Sequence, residues 1–289
     1  VTAAADGEAM QPKPHTARGR RRDLAGCRAL VTGGSSGLGR AIAVELARRR
    51  CRVLATARRG DRLAELSHEM PGIEVVAGDV TQAEFRDRLP AIAAARLGGL
   101  DLVVAAAGGG AIRAFRDGEA STFDRIIDLD LLAPAELVRA SLPLLRRSAD
   151  PGIVLVGSIL GLHPLPLHAE YCAAKAGLRS LAQALRLELA TDRIDVSIVS
   201  LGPIESEFWD NLLVGERPTW SRGRPLAADE AARAVIDGLI RRRFEIVPGW
   251  QAKGYAFAAR FLPGLIDAFA ARHWRSARRE SAAPGSMSE

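Results

Sequence analysis

The sequence predicts an α/β fold: a parallel sheet with helices packed on both faces. Three observations predict it. From Cys27 onward, short β-rich runs alternate with longer stretches whose apolar residues recur at helical spacing. The β runs are apolar on both faces, as strands of a covered parallel sheet must be. The first run passes directly into a glycine-rich turn and a helix, "LVTGGSSGLGRAIAVELARR" (30–49).

Residues 1–25 hold Lys13, Arg18, Arg20, Arg21 and Arg22 among Ala, Gly and Pro without apolar periodicity, and read as a disordered basic arm. No aromatic or helical pattern accompanies these charges, so a solvated arm is preferred to a nucleic-acid contact. No apolar run precedes Cys27, so no secretory leader is expected. The strands expected next are "RALVT" (28–32), "CRVLAT" (51–56), "IEVVA" (73–77), "DLVVAA" (101–106), "GIVLVGS" (152–158) and "IDVSIVS" (194–200). Helices are expected over 38–50, 81–97, 121–147 and 169–191. Residues 26–250 thus form one dinucleotide-binding and catalytic domain.

Within it, 202–225 is a long excursion carrying Phe208, Trp209 and Trp220, read as a substrate loop. A helix near 227–242 and the run "FEIV" (244–247) resume the pattern. Ten of the 14 aromatic residues lie from Phe208 onward, which fits either packing on the core or the lining of a bulky apolar cavity. Residues 251–289 form an amphipathic helical extension and tail. There Lys253, Arg260 and Asp267 recur every seven residues, leaving a broad apolar face on two short helices, with Pro263 opening the second. These charges interrupt any membrane span. Packing over the domain or a neighbouring subunit is preferred to a membrane-surface contact, and a roof over a long apolar substrate stays open.

Hydrophobic residues at 48% and charged residues at 26% place the chain among globular proteins. Cys27, Cys51 and Cys172 are too few and too scattered for a disulfide framework or a zinc site, which fits a reducing cytoplasm. Gly33, Gly37 and Gly39 sit between strand and helix, the context in which backbone N–H groups and a helix dipole cradle a pyrophosphate. After the second strand, where an acid would accept the ribose hydroxyls of NAD, the chain reads Ala57-Arg58-Arg59. A guanidinium favours a 2′-phosphate, so NADP is preferred to NAD.

Tyr171 and Lys175 are four apart in "HAEYCAAKAGL" (168–178) and share one helical face. An ammonium about 6 Å from a phenol, at an effective dielectric of about 20, favours the phenolate by roughly 2–3 kcal/mol. The phenol is therefore expected to be unusually acidic and suited to exchanging a proton with a carbonyl oxygen. Ser158 ends the preceding strand and supplies a hydroxyl to orient that oxygen. His163, His168, Glu205 and Glu207 are read as loop residues, with no ligand pattern around them.

The combination of "TGGSSGLG" (32–39), "GDV" (78–80), Ser158 with Tyr171-Cys-Ala-Ala-Lys175, and "LGPIES" (201–206) resembles the classical, single-domain short-chain dehydrogenase/reductase family. The match spans about 27–247. The resemblance implies a Rossmann-type, doubly wound, seven-stranded parallel sheet, assembly as a homodimer or homotetramer, and a nicotinamide coenzyme. It implies that Tyr171 is the proton donor and acceptor, that Ser158 steadies the substrate oxygen, and that Lys175 holds the nicotinamide ribose. It assigns the coenzyme to Gly33, Ser35, Ser36, Gly37, Leu38, Gly39, Asp79, Val80, Ala107, Gly108, Gly202 and Ile204. Arg58 joins these through the 2′-phosphate.

The chain departs from the family pattern at four places, the mildest being Ser206 for the usual threonine. Ala105-Ala106-Ala107-Gly108 stands where Asn-Asn-Ala-Gly is usual, Leu201-Gly202 replaces Pro-Gly, and Asp130, which the resemblance counts as catalytic beside Ser158, Tyr171 and Lys175, replaces the asparagine that helps to hold a proton-relay water. The function expected is NADP-dependent interconversion of a hydrophobic ketone or aldehyde with its alcohol, chiefly as a ketoreductase. The rival is a catalytically silent NADP-binding sensor or scaffold on the same fold.

Overall fold

The computed structural model describes residues 21–210, 212–217 and 225–282. Seven strands form one parallel sheet: β1 (Arg28–Thr32), β2 (Arg52–Ala57), β3 (Ile73–Ala77), β4 (Leu102–Ala105), β5 (Gly152–Ser158), β6 (Asp195–Leu201) and β7 (Glu245–Ile246). Their order is β3-β2-β1-β4-β5-β6-β7, so the winding reverses between β1 and β4. The expected doubly wound sheet is present. Such a reversal opens a crevice at the carboxyl ends of the strands, which is where open sheets of this kind bind ligands.

The helices are α1 (Gly37–Arg48), α2 (Gly60–Glu69), α3 (Ala83–Leu97), α4 (Ala120–Ile127), α5 (Ala133–Leu145), α6 (Ala169–Glu188), α7 (Ala228–Ile240), α8 (Trp250–Phe261) and α9 (Pro263–Ala282). Alternation along β1 divides the core. Ala29 and Val31 pack with α1 and α7 on one face, while Leu30 meets Leu89, Leu137 and Leu178 of α3, α5 and α6 on the other. Both sets are buried, which explains why the strands carry no polar face.

Two expectations need correction. The arm was drawn to residue 25, but the chain is anchored before that. Arg22 is buried and ion-paired with Asp195 at 2.8 Å, Leu24 lies in the core, and Arg22 also bonds the Asp150 and Pro151 carbonyls. Residues 1–20 lie outside the described residues. The single helix expected over 121–147 is broken by a π-helical turn, Asp128–Leu132. Its cause is local: Pro134, in the first turn of α5, has no N–H to give to the carbonyl four residues back, that of Asp130.

The C-terminal helices begin as expected, with Pro263 opening α9, but α9 runs for 20 residues rather than a short turn or two. Ala252 and Ile266 are buried, whereas Trp250, Phe257, Phe261 and Leu265 are exposed. Among the described residues no helix is long and apolar enough to cross a membrane.

Candidate active site

At the crevice lies a cavity of about 580 Å³ that runs from the turn after β1 to the start of α6 and on to α8 and α9. Every residue assigned from the sequence to coenzyme or catalysis lines it: Gly33, Ser35, Ser36, Gly37, Leu38 and Gly39; Arg58, Asp79, Val80, Ala107 and Gly108; Asp130, Ser158, Tyr171, Lys175, Gly202 and Ile204.

The turn into α1 depends on bare backbone. A Cβ on Gly39 would overlap the Gly33 carbonyl, so only glycine lets the helix start so close to the strand. Ser36 caps α1 without using its side chain on the helix, and the first N–H groups of α1 face the cavity end. The neighbouring wall is secured without the family's asparagines. Thr32 Oγ1 accepts bonds from the Ala106 and Ala107 N–H groups at 3.1 and 3.0 Å, tying the end of β4 to β1. Asp79 Oδ1 accepts from the Thr81 N–H and hydroxyl, which fixes the turn after β3 at the cavity edge.

Of the two arginines after β2, Arg58 is exposed at the rim, and Arg59 turns onto the glycine loop. Arg59 donates to Ser36 Oγ at 2.6 Å and to Ser35 Oγ at 3.2 Å, and pairs with Glu207 at 2.6 Å. Arg62 approaches the same carboxylate at 3.6 Å. These cations hold the Glu207 carboxyl below the usual range, Arg59 foremost. Sequence reasoning passed over Arg59 in favour of its neighbour and took Glu207 for a loop charge. Only the doubled arginine signalled the first, and nothing local signalled the second.

The catalytic wall is built from β5, the π-helical turn and α6. Ser158 closes β5, and its Oγ accepts the Leu160 N–H at 3.1 Å, which sets its rotamer. The Tyr171 phenol lines the same cavity as this serine, whose hydroxyl is among the groups that favour the phenolate. Lys175 Nζ lies 5.7 Å from the centre of the Tyr171 ring, donates to the Val156 carbonyl at 3.1 Å, and meets Asp130 Oδ1 at 3.0 Å. Asp130 has no solvent exposure. Burial pushes its carboxyl up while Lys175 pulls it down, and the direction that remains is up.

In the protein without coenzyme, the balance of effects at Tyr171 runs against the acidic phenol expected. Burial raises the Tyr171 phenol above its ordinary value, and the pull of Lys175 is the smaller effect. The Asp130 carboxylate adds to the rise. A single-helix view counts the ammonium and omits both the lost solvation and the opposing charge.

The outer wall is apolar. Phe208 meets the Tyr171 ring edge-on at 6.0 Å and Trp209 at 5.4 Å. Tyr255 and Phe269 of α8 and α9 complete it, so these helices roof the cavity while their outer face stays exposed. Trp220 lies outside the described residues. His163 pairs with Asp267 of α9 at 2.9 Å, and the Tyr255 hydroxyl donates to the His163 carbonyl, pinning the roof to the loop after β5. His168 caps α6 at the cavity wall, bonded to the Pro166 carbonyl, and burial lowers its pKa.

The family model described as short chain dehydrogenase matches residues 28–216. An uncharacterized oxidoreductase of Myxococcus xanthus is 35% identical over 258 residues, covering 84% of this chain and 96% of the relative. The hydroxysteroid 11-beta-dehydrogenase 1-like protein A of Xenopus laevis is 31% identical, covering 83% and 84%. Among solved structures, a short-chain dehydrogenase from Streptomyces avermitilis superposes with a TM-score of 0.73 at 28% identity, over 87% of this chain and 96% of that one. A Burkholderia phymatum member in complex with NAD shares the fold at 0.77 and 21% identity. The crevice at the sheet reversal, the glycine turn and the family match agree: the chain belongs to the short-chain dehydrogenase/reductase family of oxidoreductases, whose fold takes a nicotinamide cofactor.

Proposed function

We propose that the protein reduces a hydrophobic ketone or aldehyde to the alcohol with NADPH, using Ser158, Tyr171 and Lys175. One observation carries this reading above others: a hydroxyl, a phenol and an ammonium line one cavity whose outer wall includes Phe208, Trp209, Tyr255 and Phe269.

The residues present fit a dinucleotide. The glycine turn brings strand and helix together where a Cβ on Gly33 or Gly39 would overlap backbone, its residues line the cavity, and hydroxyls and an arginine stand beside it. NADP is preferred because Arg58 and Arg59 border the cavity where β2 ends and Asp61 is the nearest following acid in sequence. When bound, reduced nicotinamide supplies a hydride to the carbonyl carbon. Ser158 would orient the substrate oxygen through its hydroxyl, and Tyr171 would give that oxygen its proton, to be restored afterwards from solvent. Lys175, held by Val156 and Asp130, would keep a donor toward the ribose and a positive charge beside the phenol.

The apolar wall supports a lipid-, steroid- or polyketide-like substrate, and the hydroxysteroid dehydrogenase-like name of a relative agrees with that class. The exposed Trp250, Phe257, Phe261 and Leu265 support assembly into a homodimer or homotetramer, which light scattering would measure.

The test is consumption of NADPH over ketones graded by size and polarity. Turnover is expected to rise with apolar bulk. Binding of NADPH with no turnover over the whole panel would overturn the reading, as would a preference for small polar carbonyls.

A further inference from the structure

We propose that Asp130 is a positioning residue that sets the pH range of the site. Its carboxylate is the fixed counter-ion of Lys175, so Tyr171 keeps its proton to higher pH than the lysine alone would allow. The inference rests on reading Tyr171 as the proton donor, and deepens it.

The geometry is that of a contact ion pair. Asp130 Oδ1 accepts from Lys175 Nζ at 3.0 Å and from the Gly109 N–H at 3.2 Å. Both contacts use Oδ1 as the acceptor, and the ammonium in direct contact favours the ionised carboxyl against the effect of burial. At 3.0 Å no water fits between the two charges. A Cβ on Gly108 would stand 2.6 Å from the same oxygen, so bare backbone there is a condition of the pair. Asp130 has no solvent exposure and its Oδ2 has no hydrogen-bond partner within the protein, so surrounding water does not screen the carboxylate.

The groups that face the phenol are few. Lys175 and Cys172 come from its own helix, Ser158 from the end of β5, and Asp130 from the π-helical turn. Cys172 is buried and pushed up to about 11, so it is neutral near neutral pH and contributes only at the alkaline end of the titration. The balance therefore rests on one cation and one anion. With a neutral amide at 130 the cation would act on the phenol alone. With Asp130 the anion offsets part of the cation's pull, and burial adds to the rise.

The chain has two tyrosines, so in a Tyr255→Phe background the near-ultraviolet phenolate absorbance reports Tyr171 alone. Asp130→Asn in that background is expected to lower the phenol midpoint by about one pH unit or more. The alkaline limb of ketone reduction, where the donor loses its proton, should move down by the same amount. A folded variant with an unmoved midpoint overturns the proposal, and reduces Asp130 to a packing role. Should Asp130→Asn fail to fold, Asp130→Ser removes the same charge and is read in the same way. A Tyr171 midpoint below about 10 in the Tyr255→Phe parent also overturns it. The titration needs neither coenzyme nor substrate. A shifted midpoint without any NADPH consumption would therefore keep this inference and discard the proposed function.

Discussion

On the coenzyme side of the cavity, the wall from Gly33 to Gly39 is backbone, two serine hydroxyls and Leu38, and its cation, Arg59, is partly exposed. On the catalytic side, Asp130 and Lys175 are both buried, with Tyr171 beside them. The first wall is held by shape: glycine permits an approach that any side chain would block. The second is held by charge balance, where each ion is tolerable only because the other is present. The contrast teaches that the two walls should fail differently, one in what it binds and the other in stability and proton chemistry.

The largest effect is expected on the charged side. Tyr171→Phe removes the proposed proton donor and should lower kcat/KM by about 10²–10⁴-fold, with NADPH affinity little changed in a fluorescence titration. Lys175→Met should destabilise the fold by about 3–5 kcal/mol in urea denaturation, because Asp130 is left buried without its partner. Adding Asp130→Asn to that variant should restore part of the loss. If Lys175→Met is as stable as the parent, the charge-balance account of this wall is wrong.

On the coenzyme side, Gly39→Ala should weaken binding of both NADPH and NADH by tenfold or more, since the overlap with the Gly33 carbonyl does not depend on the 2′-phosphate. Arg59→Ala, in contrast, should reduce the preference for NADPH over NADH by roughly tenfold, the scale of one or two charge-assisted bonds. Equal losses for the two coenzymes would remove Arg59 from 2′-phosphate recognition. The smallest effect belongs to the roof. Asp267 is mostly exposed, so Asp267→Asn should change stability by no more than about 1 kcal/mol, as surface pairs do.

Much of this molecule was legible along the chain. The apolar runs located six strands to within a residue or so at each end, and the short run at 244–247 located the seventh. Gly33-to-Gly39 and Tyr171-to-Lys175 were legible because their parts are neighbours, one within a turn and the other within a helical repeat. What escaped was long in reach. Arg59 finds Glu207 across 148 positions. Thr32 ties Ala106 and Ala107 to the adjoining strand across more than 70 positions. The π-helical turn that sends Asp130 inward follows from Pro134, yet the helical periodicity of 121–147 continues through it.

Local periodicity and spacing alone determined the parallel sheet, the turn that receives a dinucleotide, and the tyrosine that faces its lysine. Those features need only nearest-neighbour sterics and the repeat of the backbone. Whether that tyrosine is acidic was decided by the folded molecule. A proton's affinity depends on how much water the fold removes and which distant charges it brings within a few ångströms, and here it brought Asp130 to Lys175 and buried them together.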